Sequence, residues 1–470
     1  MAKEKKVEQI TDMEVDFAQW YTDICRKAEL VEYASVKGFT ILRPYGYAIW
    51  ENIQRIMDAE FKKTGHENVA MPVLIPESLL KKEGELVNGF APEVAWVTMG
   101  GSEKLEERLA FRPTSETMFC DHWSRVLQTY RELPMLYNQW CSVIRWEKTT
   151  RPFLRTAEFL WQEGHTVHAT AEEAQEETMQ MLHVYRDFCE KNLAIPVYCG
   201  QKSEKEKFAG ARATYSVEAM MQDGKALQSG TSHNFGTNFS EPFEIKYLDK
   251  DGTQKYAHET SWGAIIMTHG DERGLKLPPM IAPIQVVVVP VAAHKEGVLE
   301  GAKAVADKLT AAGLRVKFDD RDNVTPGWKF NEWELKGVPV RVEVGPRDLA
   351  EGKVLSVRRD TFEKAPLDIE GLEGEIKAML DAIQTNMFEI ARAFRDEHTA
   401  DVHSMEELEK QVNGGYAKAM WCGEQACEDE IKDRFGASSR CMPFDQTPIG
   451  ETCVCCGKPA KKVIYFAKAY

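Results

Sequence analysis

The stretch from Arg145 to Gly164, RWEKTTRPFLRTAEFLWQEG, constrains what this chain can fold into more than any other. It runs through a short polar loop containing Pro152 and returns through Arg155, Phe159 and Glu163, which predicts a hairpin-like unit. Arginine forks bind phosphate oxygens, and an aromatic face stacks on a base. This inventory is typical of a site for a polyphosphate carried on a flat base, although a solvated charged hairpin explains the same residues.

Charge and hydropathy narrow the class of protein. The 470 residues have room for several domains, and the 43% hydrophobic and 28% charged residues are typical of a soluble globular protein. Because the net charge is −15, a nucleic-acid partner would have to meet a local basic patch. No apolar run approaches the roughly 18 residues of a membrane span, and the first residues lack the apolar segment of a secretory signal. We therefore expect no membrane partner.

The eleven cysteines are unevenly spread, with six in the last fifty residues. Clustered cysteines in a chain of this size bind metal more often than they form disulfides, so we expect a reducing, cytoplasmic compartment. The tail contains the pairs Cys422-x4-Cys427 and Cys453-x-Cys455, whose four thiolates suit a tetrahedral Zn²⁺ site. The spacing is not the common C-x2-C, and a metal-free knot is the alternative.

Helical patterns dominate the first seventy residues. Apolar spacing predicts an amphipathic helix over 15–28 and a long helix with Ile49 and Phe61 on its apolar face, ended by Gly65. The next segment, HENVAMPVLIP, is strand-like but contains Pro72, which favours a sheet edge or a subunit contact. A long helix followed by an edge strand suits a dimer surface, and an ordinary helix packed on its own sheet fits the pattern equally.

Polar residues then occur at spacings that permit binding. Thr114 and Glu116 lie two apart and could hold a small cationic amine, or they could belong to a helix N-cap. A strand over 136–144 leads to Arg145, and a helix is predicted from His165 to Asn192. The Gly-punctuated stretch 224–236 contains His233, which either lines a ligand site or is a structural histidine.

The second half alternates between strands and helices. The apolar run IAPIQVVVVPV at 281–291 is typical of a buried parallel strand. Helices are predicted over 298–312 and around 328–333, with strands over 314–318 and 338–344. This alternation predicts an α/β domain of about 100 residues with a parallel or mixed sheet.

Taken together, these segments resemble a class II aminoacyl-tRNA synthetase of the prolyl-tRNA synthetase family, of the archaeal and eukaryote-like type. The segment KGFTILRPYGYAIWENIQ with Pro72 is similar to the dimer-forming first motif, RPTSET to the proline-recognition loop, and Arg145-Trp-Glu with Arg155 and Phe159 to the second motif. GWKFNEWELKGVPVRVEVGPRD resembles the anticodon-binding domain, and the terminal cysteines with Tyr470 resemble the zinc domain. The resemblance covers nearly the whole chain.

The resemblance implies an α/β fold class with three domains. Residues 1–280 would form a class II catalytic domain of α+β type around an antiparallel sheet, 281–383 an α/β anticodon-binding domain, and 384–470 a small zinc-binding-like C-terminal domain. It implies ATP-dependent activation of L-proline to prolyl-adenylate and transfer to tRNA(Pro). The enzyme would be a cytoplasmic homodimer that uses ATP, Mg²⁺ and a structural Zn²⁺.

The resemblance also assigns roles to residues. Arg145 and Arg155 would be catalytic, with Arg155 reaching the far phosphates and Phe159 stacking on adenine. The residues expected at proline are Thr114, Glu116, Arg145, Trp161, Glu163, Phe208 and His233. Those expected at ATP are Arg145, Glu147, Arg155, Thr156, Phe159, Gln228 and Thr231. The anticodon bases would lie near Phe330, Glu334, Arg341 and Arg347, and the zinc ligands would be Cys422, Cys427, Cys453 and Cys455.

One segment departs from the family's pattern. The family's third motif follows Ser-Trp-Gly with a threonine and a phosphate-binding arginine, before a helix that runs into His-Gly-Asp. Here Gly263 is followed directly by Ala-Ile-Ile-Met-Thr-His-Gly-Asp271, so about seven residues, or two helical turns, are missing. A helix is predicted after Gly263 through Met267. The nearby Arg273 lies past this helix and is a poor stand-in. Losing such an arginine typically costs several kcal/mol of transition-state stabilisation.

Three hypotheses follow. The first is an active prolyl-tRNA synthetase. The second, suggested by the missing segment, is a non-catalytic synthetase-like protein that binds tRNA or proline. The third is a synthetase for another amino acid, such as threonine or serine.

Overall fold

The computed structural model describes residues 10–86, 93–264, 269–271 and 273–470. These divide into two compact units. The five-strand unit comprises the described residues of 1–56, 190–195 and 268–392, and the eight-strand unit those of 57–189, 196–267 and 393–470. Each unit is named after its largest sheet.

The elements have the following bounds. The helices are α1 (Phe17–Lys27), α2 (Pro44–Lys63), α3 (Glu77–Leu86), α4 (Glu116–Val126), α5 (Ala171–Asp187), α6 (Ser240–Phe243), α7 (Val298–Ala311), α8 (Pro326–Leu335), α9 (Pro346–Ala350), α10 (Leu372–Glu397), α11 (Met405–Gln411) and α12 (Gln425–Phe435). The strands are β1 (Val31–Tyr33), β2 (Thr40–Leu42), β3 (Glu67–Asn68), β4 (Leu74–Pro76), β5 (Trp96–Gly100), β6 (Glu103–Phe111), β7 (Met135–Ile144), β8 (Glu158–His168), β9 (Val197–Gln201), β10 (Ala213–Met220), β11 (Ala226–Gly236), β12 (Lys246–Leu248), β13 (Gln254–Tyr256), β14 (His258–Ala264), β15 (His269–Asp271), β16 (Gly274–Lys276), β17 (Val286–Pro290), β18 (Val316–Phe318), β19 (Val340–Val344), β20 (Lys353–Arg358), β21 (Lys364–Asp368), β22 (Thr399–Val402), β23 (Tyr416–Trp421), β24 (Ser438–Ser439), β25 (Met442–Pro443) and β26 (Lys462–Ala467).

The eight-strand sheet has the order β25-β9-β10-β11-β14-β8-β7-β3. Its pairs are antiparallel except for the short parallel pair of β3 with β7. Helix α5 packs on one face, where Ser232 donates to the carbonyl of Thr178 and Gly230 approaches the ring of Tyr185. The opposite face carries the candidate site. The expectation of an antiparallel catalytic sheet is confirmed.

The strand register places the polar side chains of four strands on that opposite face. Glu163 lies across from Gly263, and His165 lies across from Ser261. Ser261 is paired in turn with His233, and His233 with Thr214. Because directly opposed residues in a ladder point to the same face, these side chains are neighbours in space.

The predicted helix from His165 to Asn192 is wrong at its start. Strand β8 continues through His168, and α5 begins only at Ala171. Thr170 and Glu173 form a capping box there, since the Thr170 hydroxyl accepts the Glu173 N–H. Pairing within the sheet overrides the helical pattern of the flanking residues, because His165 and His168 are almost fully buried in the sheet.

The strand-like segment around Pro72 is divided into two. Strands β3 and β4 flank the proline, which itself lies outside a strand. β3 is at the edge of the eight-strand sheet, and β4 is at the edge of the sheet β4-β6-β5. The edge position predicted from the missing N–H of proline is therefore confirmed for both pieces.

The five-strand sheet has the order β18-β17-β19-β20-β21. β17 is parallel to both neighbours, and the remaining pairs are antiparallel, as expected for an α/β domain with a mixed sheet. Val286 and Val288 face the core formed with α7 and α10, whereas Val287 and Val289 pack with Trp333. Burial on both faces explains the uninterrupted apolar run in the sequence.

The last part of the chain forms the sheet β22-β23-β26-β24, which packs with α11 and α12. Strand β25 belongs to this part of the sequence but pairs with β9 at the edge of the eight-strand sheet. Tyr416 adds a second link, because its buried hydroxyl donates to the carbonyl of Ala219 on β10 at 2.9 Å. The C-terminal region thus belongs to the same unit as the sheet with the candidate site.

The helix predicted after Gly263 falls mostly outside the described residues. β14 continues through Ala264, so Gly263 and Ala264 are extended, and the helix predicted through Met267 otherwise lies on undescribed residues. The segment missing relative to the family falls at the same place. Within the part of the chain that is described, no helix is long and apolar enough to cross a membrane.

Candidate active site

Glu163 is the centre of a buried hydrogen-bond network. Gln139 donates to its carboxylate at 2.6 Å, the backbone N–H of Ser115 donates at 3.2 Å, and Nε2 of His165 lies 3.2 Å away. Burial raises the pKa of Glu163, but the hydrogen bond and charge of His165, together with the donors of Ser115 and Gln139, outweigh it and lower the pKa. The site therefore contains a fixed, buried anion.

A second carboxylate, Glu116, begins α4. Thr114 Oγ1 donates to Glu116 Oε2 at 2.5 Å, and Ser261 Oγ donates to Glu116 Oε1 at 3.2 Å. Ser115 occupies the N-cap position, but its hydroxyl makes no capping bond and donates to Glu163 instead. The Thr114 hydroxyl thus donates to the Glu116 carboxylate, and neither Thr114 nor Ser115 caps the helix through its side chain. Two buried carboxylates can hold a small cationic amine.

His233 and Phe208 are brought together through Thr214. The Thr214 hydroxyl accepts the N–H of Phe208 at 2.9 Å and lies 3.0 Å from Nδ1 of His233. The ring centroids of Phe208 and His233 are 4.8 Å apart. Burial, and then the charges of His165 and Lys202, lower the pKa of His233 to about 3. His233 is therefore a neutral, shape-defining side chain at physiological pH.

Arg145 follows the last residue of β7 and points along the aromatic residues of β8. Its Nε donates to the carbonyl of Pro113 at 3.0 Å. Its guanidinium lies 5.1 Å from the ring centroid of Trp161 and 5.6 Å from that of Phe159. Phe159 and Trp161 are two apart on one strand and so share a face with Glu163. One strand thus presents two aromatic rings and a carboxylate beside an arginine.

The loop between β7 and β8 closes as a tight turn, as the hairpin prediction requires. The backbones of Arg151 and Arg155 exchange hydrogen bonds of 2.6 and 2.9 Å, and Phe153 between them has φ of +59°. The Arg155 side chain is 54% exposed, with its Nε 3.9 Å from Glu147. Thr156 is buried and donates to the carbonyl of Glu158 at 2.7 Å. Arg155 and Glu147 are therefore accessible to a ligand, while Thr156 supports the loop.

A β-bulge places Gln228 and Thr231 on the site face together. Gln228 lies opposite Glu218, but Gly230 lies opposite Val217, so one extra residue is accommodated on β11. Thr231 consequently pairs with Ser216 and points to the same face as Gln228 and His233. Gln228 is exposed and Thr231 is half-buried. Both lie where a nucleotide could contact them.

The C-terminal residue, Tyr470, lies close to the same loop. Its hydroxyl donates to Asp223 at 2.5 Å, and the Lys225 ammonium lies 4.9 Å from its ring. The Arg151 guanidinium is 5.9 Å from the ring. The sequence shows an aromatic C-terminus, and the fold brings it to the hairpin.

Three of the four residues expected at the anticodon form one group in the five-strand unit. Arg341 pairs with Glu334 at 2.8 Å, and its guanidinium lies 4.1 Å from the ring centroid of Phe330. Arg341 also pairs with Glu343 at 3.0 Å and is only 7% exposed. Arg347 lies on α9 and is exposed. Of the two arginines, Arg347 is thus the more accessible to bases.

The cysteine cluster differs from the prediction in one ligand. The four sulfur atoms that lie within 4.8 Å of one another belong to Cys422, Cys427, Cys453 and Cys456, and the prediction names Cys455 in place of Cys456. The reason is local geometry, because residues 454–456 form a turn that brings positions 453 and 456 to its two ends. Cys453 and Cys456 thus form the common C-x2-C arrangement, whereas Cys422 and Cys427 are separated by four residues.

The sulfur positions suit zinc. Sγ–Sγ distances are 3.6 Å for Cys422–Cys427, 3.9 Å for Cys427–Cys453 and 3.7 Å for Cys422–Cys456. A tetrahedral ion with Zn–S bonds of about 2.3 Å needs sulfurs about 3.8 Å apart. The residues present therefore fit a structural Zn²⁺.

Several residues that contact the predicted site residues have no role in the sequence prediction. Ser115, Gln139, His165, Thr214 and Ser261 each make a hydrogen bond to a predicted site residue or to its partner. The spacing of Glu163 and His165 is the one available signal, since residues two apart on a strand share a face. The helical interpretation of His165 hides that signal.

Comparison with known proteins agrees with this geometry. Residues 96–268 match the class II tRNA synthetase core domain of the G, H, P, S and T group, and residues 285–379 match an anticodon-binding domain. The fold is thus that of a class II aminoacyl-tRNA synthetase. Residues 405–470 match the C-terminal domain of prolyl-tRNA synthetase.

Full-length relatives identify the family. The chain is 60% identical to proline–tRNA ligase 2 of a strain of Bacillus cereus, 61% identical to the proline–tRNA ligase of Clostridium novyi, and 61% identical to that of Lachnoclostridium phytofermentans, over the whole of both chains in each case. This chain belongs to the prolyl-tRNA synthetase family. The first of these alignments runs over 479 positions, nine more than the 470 residues here.

Proposed function

We propose that this chain is a proline–tRNA ligase that activates L-proline with ATP and transfers the prolyl group to tRNA(Pro). The observation that supports the proposal most strongly is a sheet face that carries the buried Glu163 and two aromatic rings beside Arg145, with the buried Glu116 of α4 bonded to Ser261 of the same face. Glu116 and Glu163 suit the ammonium of an amino acid, and Arg145 suits its carboxylate and a phosphate.

The proline pocket would be formed mostly from β8, β11 and the loop before β10. Thr114 and Glu116 would accept hydrogen bonds from the secondary ammonium of proline, and Glu163 would hold the surrounding donors in place. Trp161, Phe208 and His233 would enclose the ring of the substrate. A neutral His233 fits this role, because a second cation would compete with the ammonium for the carboxylates.

ATP would lie along the hairpin between β7 and β8. Phe159 would stack on the adenine, and Arg145 and Arg155 would contact the phosphates, with Glu147, Gln228 and Thr231 around the nucleotide. The buried Thr156 would act indirectly, by holding the loop that carries Arg155. Mg²⁺ would enter with the phosphates and neutralise part of their charge. Arg155 is exposed on a turn, so it can adjust to the outer phosphates without breaking a buried contact.

The reaction consists of two displacements. A carboxylate oxygen of proline attacks the α-phosphorus of ATP, the bond to the bridging oxygen breaks, and pyrophosphate leaves. A hydroxyl of the terminal ribose of tRNA then attacks the carbonyl carbon of prolyl-adenylate, and AMP leaves as the ester forms. Neither step needs a protein nucleophile, and positioning with charge neutralisation supplies the catalysis. This agrees with a site dominated by arginines and carboxylates.

The remaining regions would support tRNA recognition and assembly. Phe330, Glu334, Arg341 and Arg347 would meet the anticodon, and Cys422, Cys427, Cys453 and Cys456 would hold a Zn²⁺ that stabilises the C-terminal fold. We also propose a cytoplasmic homodimer. Exposed apolar side chains in and beside the segments similar to the dimer-forming motif support it, namely Ile41, Tyr47 and Val73.

Charging of purified tRNA(Pro) with a panel of amino acids tests the proposed function. Proline should be esterified in preference to threonine, serine and alanine, because the pocket is closed by rings rather than by groups that bind a side-chain hydroxyl. Charging with threonine or serine in preference to proline would contradict the assignment. Binding of tRNA without charging by any amino acid would favour the non-catalytic alternative.

A further inference from the structure

Helix α12 connects the cysteine cluster to the segment that carries Phe208. Cys427 of the cluster lies in the first turn of α12, and the next two residues are Glu428 and Asp429. Both of these side chains contact residues 203–205, which precede Phe208 in the same loop. The helix therefore touches the cluster and the loop within three consecutive residues.

The contact made by Glu428 is buried. Ser203 Oγ donates to Glu428 Oε1 at 2.6 Å, and the hydroxyl of Ser439 donates to the same oxygen. Glu428 is 3% exposed and Ser203 is 2% exposed. Ser203 Oγ and Ser439 Oγ lie 3.3 Å apart, so without Glu428 one hydroxyl could donate to the other, but the second would lose its acceptor. The carboxylate therefore holds the start of the loop.

Asp429 adds an ion pair one residue later. Lys205 Nζ lies 2.6 Å from Asp429 Oδ1, with the lysine side chain 18% exposed and the aspartate 48% exposed. Burial lowers the pKa of Lys205, but the hydrogen bond and charge of Asp429 outweigh it and raise the pKa. The contact fixes a second point of the loop.

Only a short turn separates the two anchored residues, Ser203 and Lys205, from Phe208. The carbonyl of Ser203 accepts the N–H of Lys207 at 2.9 Å, which forms a turn directly before Phe208. The N–H of Phe208 donates to Thr214, and its ring packs on His233. Moving Ser203 or Lys205 would therefore displace the aromatic wall that we assign to proline.

A second buried contact keeps the C-terminal region at the same sheet. Glu218 is fully buried, with Lys202 Nζ at 2.7 Å and Arg440 Nη2 at 2.8 Å. Burial raises the pKa of Glu218, but the charges of the two cations outweigh it and lower it to about 2. Through Arg440, this triad fixes the C-terminal region to β10. Helix α12 belongs to that region and is therefore held in place next to the loop.

We propose that Glu428 and Asp429 are positioning residues for the proline site, which link the cysteine cluster to the Phe208 loop. The inference rests on the proposed function, because it assigns Phe208 and His233 to the proline pocket. Proline affinity then depends on α12 being in place, whereas ATP affinity, which depends on the hairpin between β7 and β8, does not.

The test compares Asp429→Asn and Glu428→Ala with the wild-type chain by calorimetric titration of proline and of an ATP analogue. Proline should bind about fivefold or more weakly in Glu428→Ala, at the low end of coupling between two sites, and somewhat less weakly in Asp429→Asn, with ATP affinity unchanged. Glu428→Gln should restore binding, because its amide oxygen still accepts both hydroxyls. Asp433→Asn is the matched control, since it removes an equal charge from an exposed position of the same helix.

Hydrogen exchange of residues 203–212 gives a readout without ligand. It should be faster in Glu428→Ala and in Asp429→Asn, while the zinc content of both variants stays that of the wild type. The double variant Lys205→Asp with Asp429→Lys should return both exchange and proline affinity toward wild-type values, and it keeps the test valid if Glu428→Ala fails to fold.

Two results separate the inference from the proposed function. A wild-type chain that does not bind proline would contradict the function, and the inference would fail with it. A wild-type chain that binds proline, with both Asp429→Asn and Glu428→Ala equal to it, would overturn the inference alone. Equal weakening of proline and ATP would also overturn it, because a merely structural contact affects both sites.

Discussion

At the residue scale, the site is defined by two carboxylates whose positions are set by the side chains hydrogen-bonded to them. Glu163 receives hydrogen bonds from Gln139 and Ser115, and Glu116 from Thr114 and Ser261. An incoming ammonium would add positive charge to anions that are already oriented, so little reorganisation is needed on binding.

Glu116→Gln should raise the KM for proline about tenfold or more, because a hydrogen bond to a charged group is replaced by one to a neutral amide. The KM for ATP should stay near the wild-type value. Initial rates of pyrophosphate exchange at varied proline and varied ATP provide the measurement. Glu158→Gln, an exposed position of β8, serves as the control, and an equal rise of both KM values in Glu116→Gln would contradict the assignment.

Glu259 predicts a pH dependence of stability. Burial raises its pKa to about 8, Cys120 Sγ is 3.1 Å from its Oε2, and its Oε1 has no hydrogen-bond partner among the described residues. A raised pKa in the folded state means that the contribution to stability is complete below the ordinary value near 4.5 and is lost as the pH rises toward 8.

Glu259→Gln should remove this loss. From pH 5 to pH 8, the wild-type free energy of unfolding should fall by up to about 1.4 kcal/mol per pH unit more than that of the variant. Urea unfolding of both proteins at these two pH values measures the difference. Parallel pH profiles would show that Glu259 does not titrate in this range.

A contact between site residues can be predicted when the two residues are close in sequence, and it cannot when they are far apart. Thr114 and Glu116 can be paired from their spacing alone, and the structure joins them by a hydrogen bond. Gln139 and Ser261 cannot, because their contacts depend on strand register over more than twenty residues of sequence. Register is a property of the folded sheet that residue types alone do not display.

At the element scale, the cysteine cluster predicts which of two neighbouring cysteines, Cys455 or Cys456, is needed for zinc binding. Cys456→Ser should lower the zinc content of the purified protein and the stability of the C-terminal region, because its sulfur is one of the four that lie together. Cys455→Ser should leave zinc content unchanged. Elemental analysis of both variants decides between the ligand sets, and the reverse pattern would restore the ligand set expected from the sequence.

The substitution Arg347→Ala tests the proposed anticodon contact without removing a buried side chain, because Arg347 is exposed. Arg347→Ala should lower the rate of tRNA charging about tenfold at limiting tRNA, because an exposed arginine on α9 is available to nucleotides. Proline-dependent pyrophosphate exchange should not change. A parallel loss in both assays would contradict the anticodon role.

Arg341→Ala is a less clean test of the same element. It would leave the buried Glu343 without its cation and would remove one of the two arginine partners of Glu334, so part of its effect would be on stability.

Helices and strands are predictable where burial and local pattern agree. The run Val286–Val289 is buried on both faces, and its assignment to a strand is confirmed. The error at His165 arises where a strand and a helix are separated by two residues, so that the helical pattern of α5 extends into β8. The clustered cysteines differ from the predicted set for a similar reason, since one residue of turn geometry places the sulfur of Cys456, not that of Cys455, with the other three.

At the scale of the whole molecule, the C-terminal region and the catalytic sheet form one unit. Strand β25 extends the sheet, and Glu218 is buried between Lys202 and Arg440. Because Glu218 pairs with both cations, this contact fixes the C-terminal region to the sheet rather than offering charge to a ligand.

The third-motif region is the other feature at this scale. The alignment with the Bacillus relative exceeds the chain by nine positions, and Arg273 pairs with Glu334 and lies over the ring of Phe362 in the five-strand unit. Arg145 and Arg155 are accordingly the arginines that we assign to the phosphates of ATP.

The most direct measurement of the central claim is proline-dependent exchange of labelled pyrophosphate into ATP by the purified, folded chain. The site geometry predicts exchange that requires proline, saturates with it and is abolished by Arg145→Ala. A folded chain that binds proline or tRNA(Pro) but shows no exchange would contradict the claim that it is a proline–tRNA ligase.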